Sequence, residues 1–363
     1  MKKHFKFFMM FLAAISINIC MTSCSEENNN GAEDVIDATQ QAILKNYINS
    51  VVVPTYKSLA DAAVLLAEDC QDLSSQAKVD KACTDWKAAR RYWELSEAFL
   101  FGAASDYNID PHIDSWPLDL TQLDAVLKAG DIEARIEAGT AGYGLLGFHA
   151  VEYVIFKEGS TGDASNRNRD YTTITKEEAT FAAAVAADMS EQCVRLAEAW
   201  EGTYGEMFYN AGLPGNAMYK TQSAAFEEII IGASDIANEV GNAKISDPMD
   251  SHQWSDVESP HSWNSVTDFV DNLYSVRNAY FCSLDGKVAL LSVSNHVASF
   301  SKDADAKVKA CIENAIKKAE AIPTPFRNYI NETSGANYEK IQAAINACNE
   351  LVDALDEAQE IIK

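Results

Sequence analysis

One histidine and one glutamate interrupt an otherwise apolar run from Leu145 to Phe156, and this run constrains the fold more than any other segment. His149 and Glu152 stand three positions apart, so a helix places both side chains on one face. Apolar residues lie on every other side of that helix, and a helix that is apolar all round is buried. Burying an imidazole and a carboxylate costs several kcal/mol unless something pairs with them. The functional site is therefore expected here.

The composition favours helices along the whole chain. Glycine and proline are sparse, at 17 and 8 of 363 residues, and no stretch alternates between apolar and polar residues as a half-buried strand does. A chain of this length exceeds what one hydrophobic core usually covers. We predict an all-α protein with two helical bundles of the four-helix type packed side by side, over residues 34–165 and 166–363.

The N-terminus has the pattern of a targeting segment. Three lysines within the first six residues precede a short apolar stretch, and Met21–Cys24 then resembles a bacterial lipobox. We predict a lipoprotein signal peptide over 1–23 and a polar tether over 24–33. Lipid on Cys24 would anchor the protein in the cell envelope, at the periplasmic or surface face of the outer membrane. The alternative is an ordinary secretory signal with a chance cysteine.

Charge limits the classes of partner. The chain has 54 acidic residues against 29 lysines and arginines, a formal net charge of −25 at pH 7. Such an excess argues against nucleic acid and against anionic membrane surfaces as partners. It suits cations, although acidic residues often serve solubility alone.

Six cysteines follow Cys24, and an oxidising compartment would favour disulfides among them. Cys70 and Cys83 lie almost symmetrically about a predicted turn, as do Cys311 and Cys348. Symmetry about a helical hairpin predicts the disulfides Cys70–Cys83 and Cys311–Cys348, with Cys193–Cys282 as the remainder. The alternative is a set of free, buried thiols.

A second stripe of functional interest runs along a helix predicted over residues 78–101. Trp86, Arg90, Trp93 and Glu97 recur at helical spacing, and the aromatic side chains indicate that this stripe is buried. Arg90 and Glu97 are about 10 Å apart along such a helix, too far to pair directly. Each needs a partner elsewhere, either in structural ion pairs or, for Glu97, in a site shared with His149 and Glu152.

Polar residues elsewhere are weaker candidates. Asp119 either caps the helix that follows it or contributes to a site. Asp268 and Asn272 belong to a stripe of small polar residues, which suits a cleft or a contact between bundles, or else a solvated face.

These residues together resemble the imelysin family. Gly147-x-His149-x-x-Glu152 is similar to the family's Gly-x-His-x-x-Glu signature, and the resemblance spans roughly residues 35–360. The other motifs that carry it follow in the family's order: Trp86-x-x-x-Arg90, Glu97–Gly102, Trp116–Asp119, and Glu258–Tyr280 with Ser262, Asp268 and Asn272. Phe281-Cys282 departs from the pattern, where a glycine is common.

The resemblance implies two four-helix bundles with a site between them, in bacterial envelope proteins linked to iron uptake. Some members are described as metallopeptidases, and others look like proteins that bind metal or haem. We expect His149, Glu152 and Glu97 as ligands of iron or another divalent metal. Residues expected to bind a cofactor or an iron-bearing ligand are Arg90, Asp119, Ser262, Asp268 and Asn272.

Three functions stay open on the sequence. The favoured one is binding of iron, or of an iron-bearing ligand such as haem, together with other envelope components of iron uptake. The second is a metallopeptidase, although the chain lacks the His-Glu-x-x-His pattern of zinc proteases. The third is a non-catalytic envelope adaptor, in which the pair of His149 and Glu152 only stabilises the fold.

Overall fold

A computed structural model describes residues 36–159 and 166–363, and these residues form helices and loops, with one isolated bridge between Phe156 and Asn168. The prediction of an all-α fold is confirmed. The predicted signal peptide over 1–23 and tether over 24–33 lie outside the described residues. The α-helices of the described segments are α1 (Ala38–Tyr47), α2 (Val53–Cys70), α3 (Gln76–Glu94), α4 (Ala103–Asp106), α5 (Ile109–Ile113), α6 (Leu120–Ala129), α7 (Ile132–Glu137), α8 (Gly147–Ile155), α9 (Lys176–Glu201), α10 (Thr203–Tyr209), α11 (Gln222–Glu239), α12 (Ser246–Ser251), α13 (Ser265–Phe281), α14 (Val293–Phe300), α15 (Lys302–Ala319) and α16 (Ala336–Ile362).

Helices α1 and α2 form one long run that is interrupted by a π-helical turn at Ile48–Val52. Asp37 caps the run, because its carboxylate accepts hydrogen bonds from the backbone N–H groups of Thr39 and Gln40. The π-helical turn ends two residues before Pro54, which has no N–H for the helical ladder. The run Ala38–Cys70 is long and apolar enough to cross a membrane, but half of its most apolar window is buried inside the protein.

Two groups of helices build the core. In the first group, α2 packs against α3 and α9, and α8 packs against α3 and α9. In the second, α11, α13, α15 and α16 pack against one another, and α13 also reaches α3. The bundle boundary at residues 165 and 166 stays a prediction, although α9, which follows it, packs against helices that precede it.

The predicted disulfides are wrong in this structure. The six described cysteines are free thiols, so neither Cys70–Cys83, Cys311–Cys348 nor Cys193–Cys282 is formed. The Cys83 thiol donates to the carbonyl oxygen of Ile155 at 3.2 Å and so faces α8. Symmetry about a hairpin sets the level of two residues along the helices, but it does not set the direction in which their side chains point.

Candidate functional site

The glycine of the Gly-x-His-x-x-Glu motif sets the position of α8. Gly147 begins the helix with a φ of +76°, a conformation that side chains disfavour. A Cβ atom at this residue would lie 1.9 Å from the carbonyl oxygen of Ile113. This close approach brings the first turn of α8 against the end of α5, where Asp114 follows.

Glu152 accepts hydrogen bonds at both of its carboxylate oxygens. Its Oε1 accepts from the backbone N–H of His261 at 3.0 Å, and from the backbone N–H and hydroxyl of Ser262, each at 2.7 Å. Its Oε2 lies 3.3 Å from Nδ1 of His149. Burial raises the pKa of Glu152, but its bond with His149 and the neighbouring donors outweigh burial and lower that pKa to about 2. Glu152 is therefore an ionised acceptor that orients His149.

The other ring nitrogen of His149 faces a second carboxylate. Nε2 lies 3.2 Å from Oδ1 of Asp114, but it makes no well-aligned hydrogen bond. Burial lowers the pKa of His149, whereas the approach of Asp114 and the bond with Glu152 raise it, with a net value of about 9. Because an ionised Glu152 can only accept, Nδ1 carries a hydrogen. With a pKa of about 9, Nε2 is also protonated at neutral pH, so a metal ion would bind there by displacing that proton.

Arg90 is fully buried among four carboxylates, and this explains the buried stripe on α3. Its guanidinium pairs with Asp114 and Glu94, lies 2.7 Å from Glu258, and comes within 3.8 Å of Asp268. Desolvation alone would lower the pKa of Arg90, but the surrounding carboxylates hold it well above its usual value.

Two tryptophans of the same stripe anchor the neighbouring elements to α3. The indole N–H of Trp93 donates to Oδ2 of Asp114 at 2.7 Å. The indole N–H of Trp86 donates to the backbone oxygen of Phe148 at 2.9 Å. Both bonds are buried, so the two tryptophans fix the positions of Asp114 and α8 relative to α3.

Lys244 supplies the second buried cation. It lies on a π-helical turn, Val240–Ile245, that continues α11, and π-helical turns often occur at functional sites. Its Nζ lies 2.9 Å from Glu97, 3.3 Å from Glu94 and 3.1 Å from Glu258. Burial lowers the pKa of Lys244, but these carboxylates raise it well above its usual value, so the ammonium stays charged.

Asn272 on α13 completes this side of the cluster. Its side-chain N–H₂ donates to Oε2 of Glu94 at 2.5 Å and to Oε2 of Glu97 at 3.2 Å. Arg90 pairs with Glu94, and Asn272 bonds to both Glu94 and Glu97. The structure thereby brings together Asn272, Glu97 and Arg90, three residues that the sequence marked as candidates.

Negative charge exceeds positive charge in this buried cluster. Two permanent cations, Arg90 and Lys244, and one imidazole face six buried carboxylates. Burial raises the pKa of Glu94 and of Glu97 well above the usual range, and it raises that of Asp268 to about 6. Buried carboxylates without full compensation take up protons or a cation. The six are Glu94, Glu97, Asp114, Glu152, Glu258 and Asp268.

Several atoms of the cluster have unused bonding capacity. Nε2 of His149 and Oε2 of Glu258 are buried without a hydrogen-bond partner in the structure. His149, Asp114 and Glu258 each offer one ligand atom, and these three atoms lie within 4.8 Å of one another. An unpaired buried polar group costs about 1–3 kcal/mol, so this arrangement fits a metal ion that would satisfy it.

A small cavity reaches His149 and Glu152 from the outside of the cluster. The volume of the cavity is about 40 Å³, and about 10–15 Å³ suffices for one water. Its wall includes Trp116, whose ring lies 6.1 Å from that of His149. The histidine is therefore within reach of a small ligand although it is only 3% exposed.

One predicted site residue lies elsewhere. Asp119 is half-buried at the start of α6, where its Oδ1 accepts from the backbone N–H of Gln122 at 2.9 Å. Its carboxylate acts as a helix cap, the alternative that the sequence left open, and the expectation that it binds a cofactor is not supported by its position. Ser262 donates to Glu152 through its backbone N–H and its hydroxyl, and its expected contact with a cofactor stays a prediction.

Sequence reasoning missed four members of the cluster. Asp114, Glu94, Lys244 and Glu258 were not among the expected ligands, although Glu258 opens one of the motifs. One signal was available for Glu94, because it follows Arg90 by one helical turn. Lys244 meets Glu94 and Glu97 about 150 residues away in the sequence, and Asp114 lies in an irregular turn after α5. Spacing along the chain therefore does not indicate either residue.

Helices packed around a buried histidine–carboxylate cluster define the class of protein. The imelysin family model matches residues 52–355, which is most of the chain. The chain belongs to the imelysin family, as the motifs predicted.

Two relatives carry names related to iron. Iron-regulated protein A of Synechococcus elongatus is 29% identical over 250 residues, which cover 67% of this chain and 64% of that protein. The chain thus matches somewhat less than two thirds of the relative's length. A solved structure described as an iron-regulated protein A precursor, from Parabacteroides distasonis, is 27% identical with a TM-score of 0.80, covering 92% of this chain and 97% of that one.

A more distant solved structure shares the fold. The imelysin-like protein of Psychrobacter arcticum is 14% identical, with a TM-score of 0.63 over 92% of this chain and 95% of that one.

Proposed function

We propose that this protein binds an iron ion, as part of iron handling in the bacterial envelope. The ligands would be Nε2 of His149 and the carboxylates of Asp114 and Glu258. The observation that carries the proposal is the buried Nε2, which makes no aligned hydrogen bond and lies 3.2 Å from Asp114 beside a small cavity. One ligand atom each of His149, Asp114 and Glu258 lie within 4.8 Å of one another.

The donor set supports iron over softer metals. One imidazole and two carboxylates suit iron or manganese, whereas copper(I) and structural zinc favour thiolates. The sulfur atoms of Cys83 and Cys282 bond to backbone carbonyls instead. The names of the two iron-regulated relatives agree with an iron-related role.

Glu152 is better suited to orienting the ligand than to binding the metal. Histidines that bind metals commonly donate their other ring N–H to a carboxylate, which fixes the ring and its tautomer. The bond from Nδ1 of His149 to Glu152 has this form. This assignment replaces our expectation of direct ligation by Glu152, and Glu97 likewise serves Lys244.

The cavity beside His149 is too small for haem. Sites for cofactors and other small molecules usually enclose about 300–1,000 Å³. The cavity beside His149 offers about 40 Å³.

Peptidase chemistry has weaker support from the same geometry. A metal-dependent peptidase needs a general base near the metal-bound water. Glu152 is the acid in the motif, and three donors hold its Oε1 while its pKa is lowered to about 2. A carboxylate in that state is a poor base.

Anoxic titration with Fe(II) tests the proposal. We expect one high-affinity site in the purified chain, and we expect His149→Ala to abolish it. The matched control is His296→Ala, which removes another buried imidazole that stacks on Phe226. Equal binding by wild type and His149→Ala would refute the assignment.

We also propose that lipid on Cys24 anchors the protein in the outer membrane. The lipobox-like sequence Met21–Cys24 supports this location. Cys24→Ser should move the protein from the membrane fraction to the soluble fraction of the producing cells. An unchanged membrane fraction would contradict lipid anchoring at this residue.

A further inference from the structure

Lys244 touches a proposed metal ligand without being one. Its ammonium lies 3.1 Å from Oε1 of Glu258, and Oε2 of the same carboxylate is unpartnered. The lysine is 1% exposed, so water does not screen its charge. A metal ion bound by Glu258 would therefore sit a few ångströms from a second, fixed positive charge.

Two acids on the far side of Lys244 hold it in this position. Glu97 lies 2.9 Å and Glu94 lies 3.3 Å from Nζ, and Asn272 donates to both carboxylates. The backbone of Lys244 belongs to a π-helical turn whose Gly241 packs closely against Cys348. The ammonium is thus part of a built arrangement and not a mobile surface charge.

A buried ammonium can compensate the negative charge of carboxylates, as a metal ion does. The cluster has more carboxylates than cations, and Lys244 compensates three of them. A divalent cation at Glu258 would compensate the same charge, so the two positive charges compete for one set of carboxylates.

We propose that Lys244 is a built-in competitor of the metal ion, which keeps the cluster folded without metal and weakens metal binding enough for release. The inference depends on the proposed function, since it concerns the affinity of the same site. It assigns to Lys244 a role in tuning affinity and not in ligation, because an ammonium has no lone pair with which to bind a metal.

The test compares Lys244→Met with wild type by anoxic Fe(II) titration and by thermal unfolding. The control Lys287→Met removes the same charge from a side chain that is 84% exposed. We expect Lys244→Met to bind Fe(II) about tenfold more tightly or better, because an unscreened charge a few ångströms away is removed. We also expect a lower melting temperature without Fe(II) and a larger gain on adding it than in wild type or the control.

A charge-matched double variant covers the case in which Lys244→Met does not fold. Lys244→Met with Glu97→Gln removes the cation together with its nearest carboxylate, while His149, Asp114 and Glu258 remain. We expect this double variant to fold and to bind Fe(II) more tightly than wild type. Failure of the double variant to fold would overturn the proposal, since Lys244 would then provide more than charge compensation.

The outcomes separate this inference from the proposed function. Binding by wild type with equal or weaker binding by the variants overturns the role of Lys244 and leaves the metal site in place. Binding by the variants alone supports the competition in its strongest form. No binding by wild type or by either variant overturns both.

Discussion

Replacing Glu152 by glutamine tests how the site is organised, because it changes the chemistry at His149 with little change in shape. The glutamine oxygen can still accept from His261 and Ser262, whose three donors hold Oε1 at 2.7–3.0 Å. The amide N–H₂ would then face Nδ1 of His149, which has to accept. The single hydrogen of the neutral imidazole then lies on Nε2 and occupies the lone pair that the metal needs.

The expected magnitude follows from these contacts. Loss of a partner that orients a metal-binding histidine costs about 10–100-fold in affinity, so Glu152→Gln should weaken Fe(II) binding by that factor. Glu152→Ala should in addition destabilise the fold by about 3–5 kcal/mol, because the buried donors of His261 and Ser262 and the Nδ1 hydrogen of His149 lose their charged acceptor. Urea unfolding and anoxic Fe(II) titration measure the two effects separately.

An NMR titration of His149 completes the test. Its pKa of about 9 depends on Asp114 and Glu152, so Glu152→Gln should lower it. Glu178→Gln is a suitable control, because that buried glutamate pairs with Arg169 and caps α9. Wild-type Fe(II) affinity together with an unchanged His149 pKa in Glu152→Gln would refute the proposed role of Glu152.

Three further predictions follow from named contacts. Because the pKa of His149 is raised from 6.5 to about 9, its pairing contributes about 3 kcal/mol of stability that is fully present below pH 6.5 and is lost as the pH rises through 9. The metal-free stability difference between wild type and His149→Gln should therefore shrink by that amount between pH 6 and pH 10, and a constant difference in urea unfolding would contradict it. Gly147→Ala should cost about 3 kcal/mol or more, because its Cβ would meet the Ile113 carbonyl at 1.9 Å; a stability close to wild type would show that α8 can move. Asp119→Ala should lower the free energy of unfolding by about 1 kcal/mol, because α6 loses its cap, and should leave Fe(II) affinity unchanged. Weaker Fe(II) binding would show that Asp119 contributes to the site.

The sequence was most informative where the signal is local. Helical spacing identified the buried stripe with Trp86 and Arg90, and the apolar run around His149 identified α8. The expected helix over 78–101 extends too far, since α3 ends at Glu94 and Glu97 begins a separate 3₁₀ turn, Glu97–Phe99. That break redirects Glu97 towards Lys244, which no helical spacing could have indicated.

The roles within the cluster depend on contacts that are distant in the sequence. Glu152 is held by His261 and Ser262, about 110 residues away, and Lys244 meets Glu94 and Glu97, about 150 residues away. From the sequence, the charge of these residues indicates only that burying them costs free energy. The three-dimensional arrangement is the basis on which we propose Glu152 as an orienting carboxylate and Lys244 as a competing cation.

The most direct test of the central claim is a crystal structure of the chain grown anoxically with Fe(II), with anomalous data collected at the iron edge. We expect one strong anomalous peak within bonding distance of Nε2 of His149, Asp114 and Glu258, with Glu152 still bonded to Nδ1. A peak bound by Glu152 instead, or no peak while the three ligand atoms keep their metal-free positions, would contradict it.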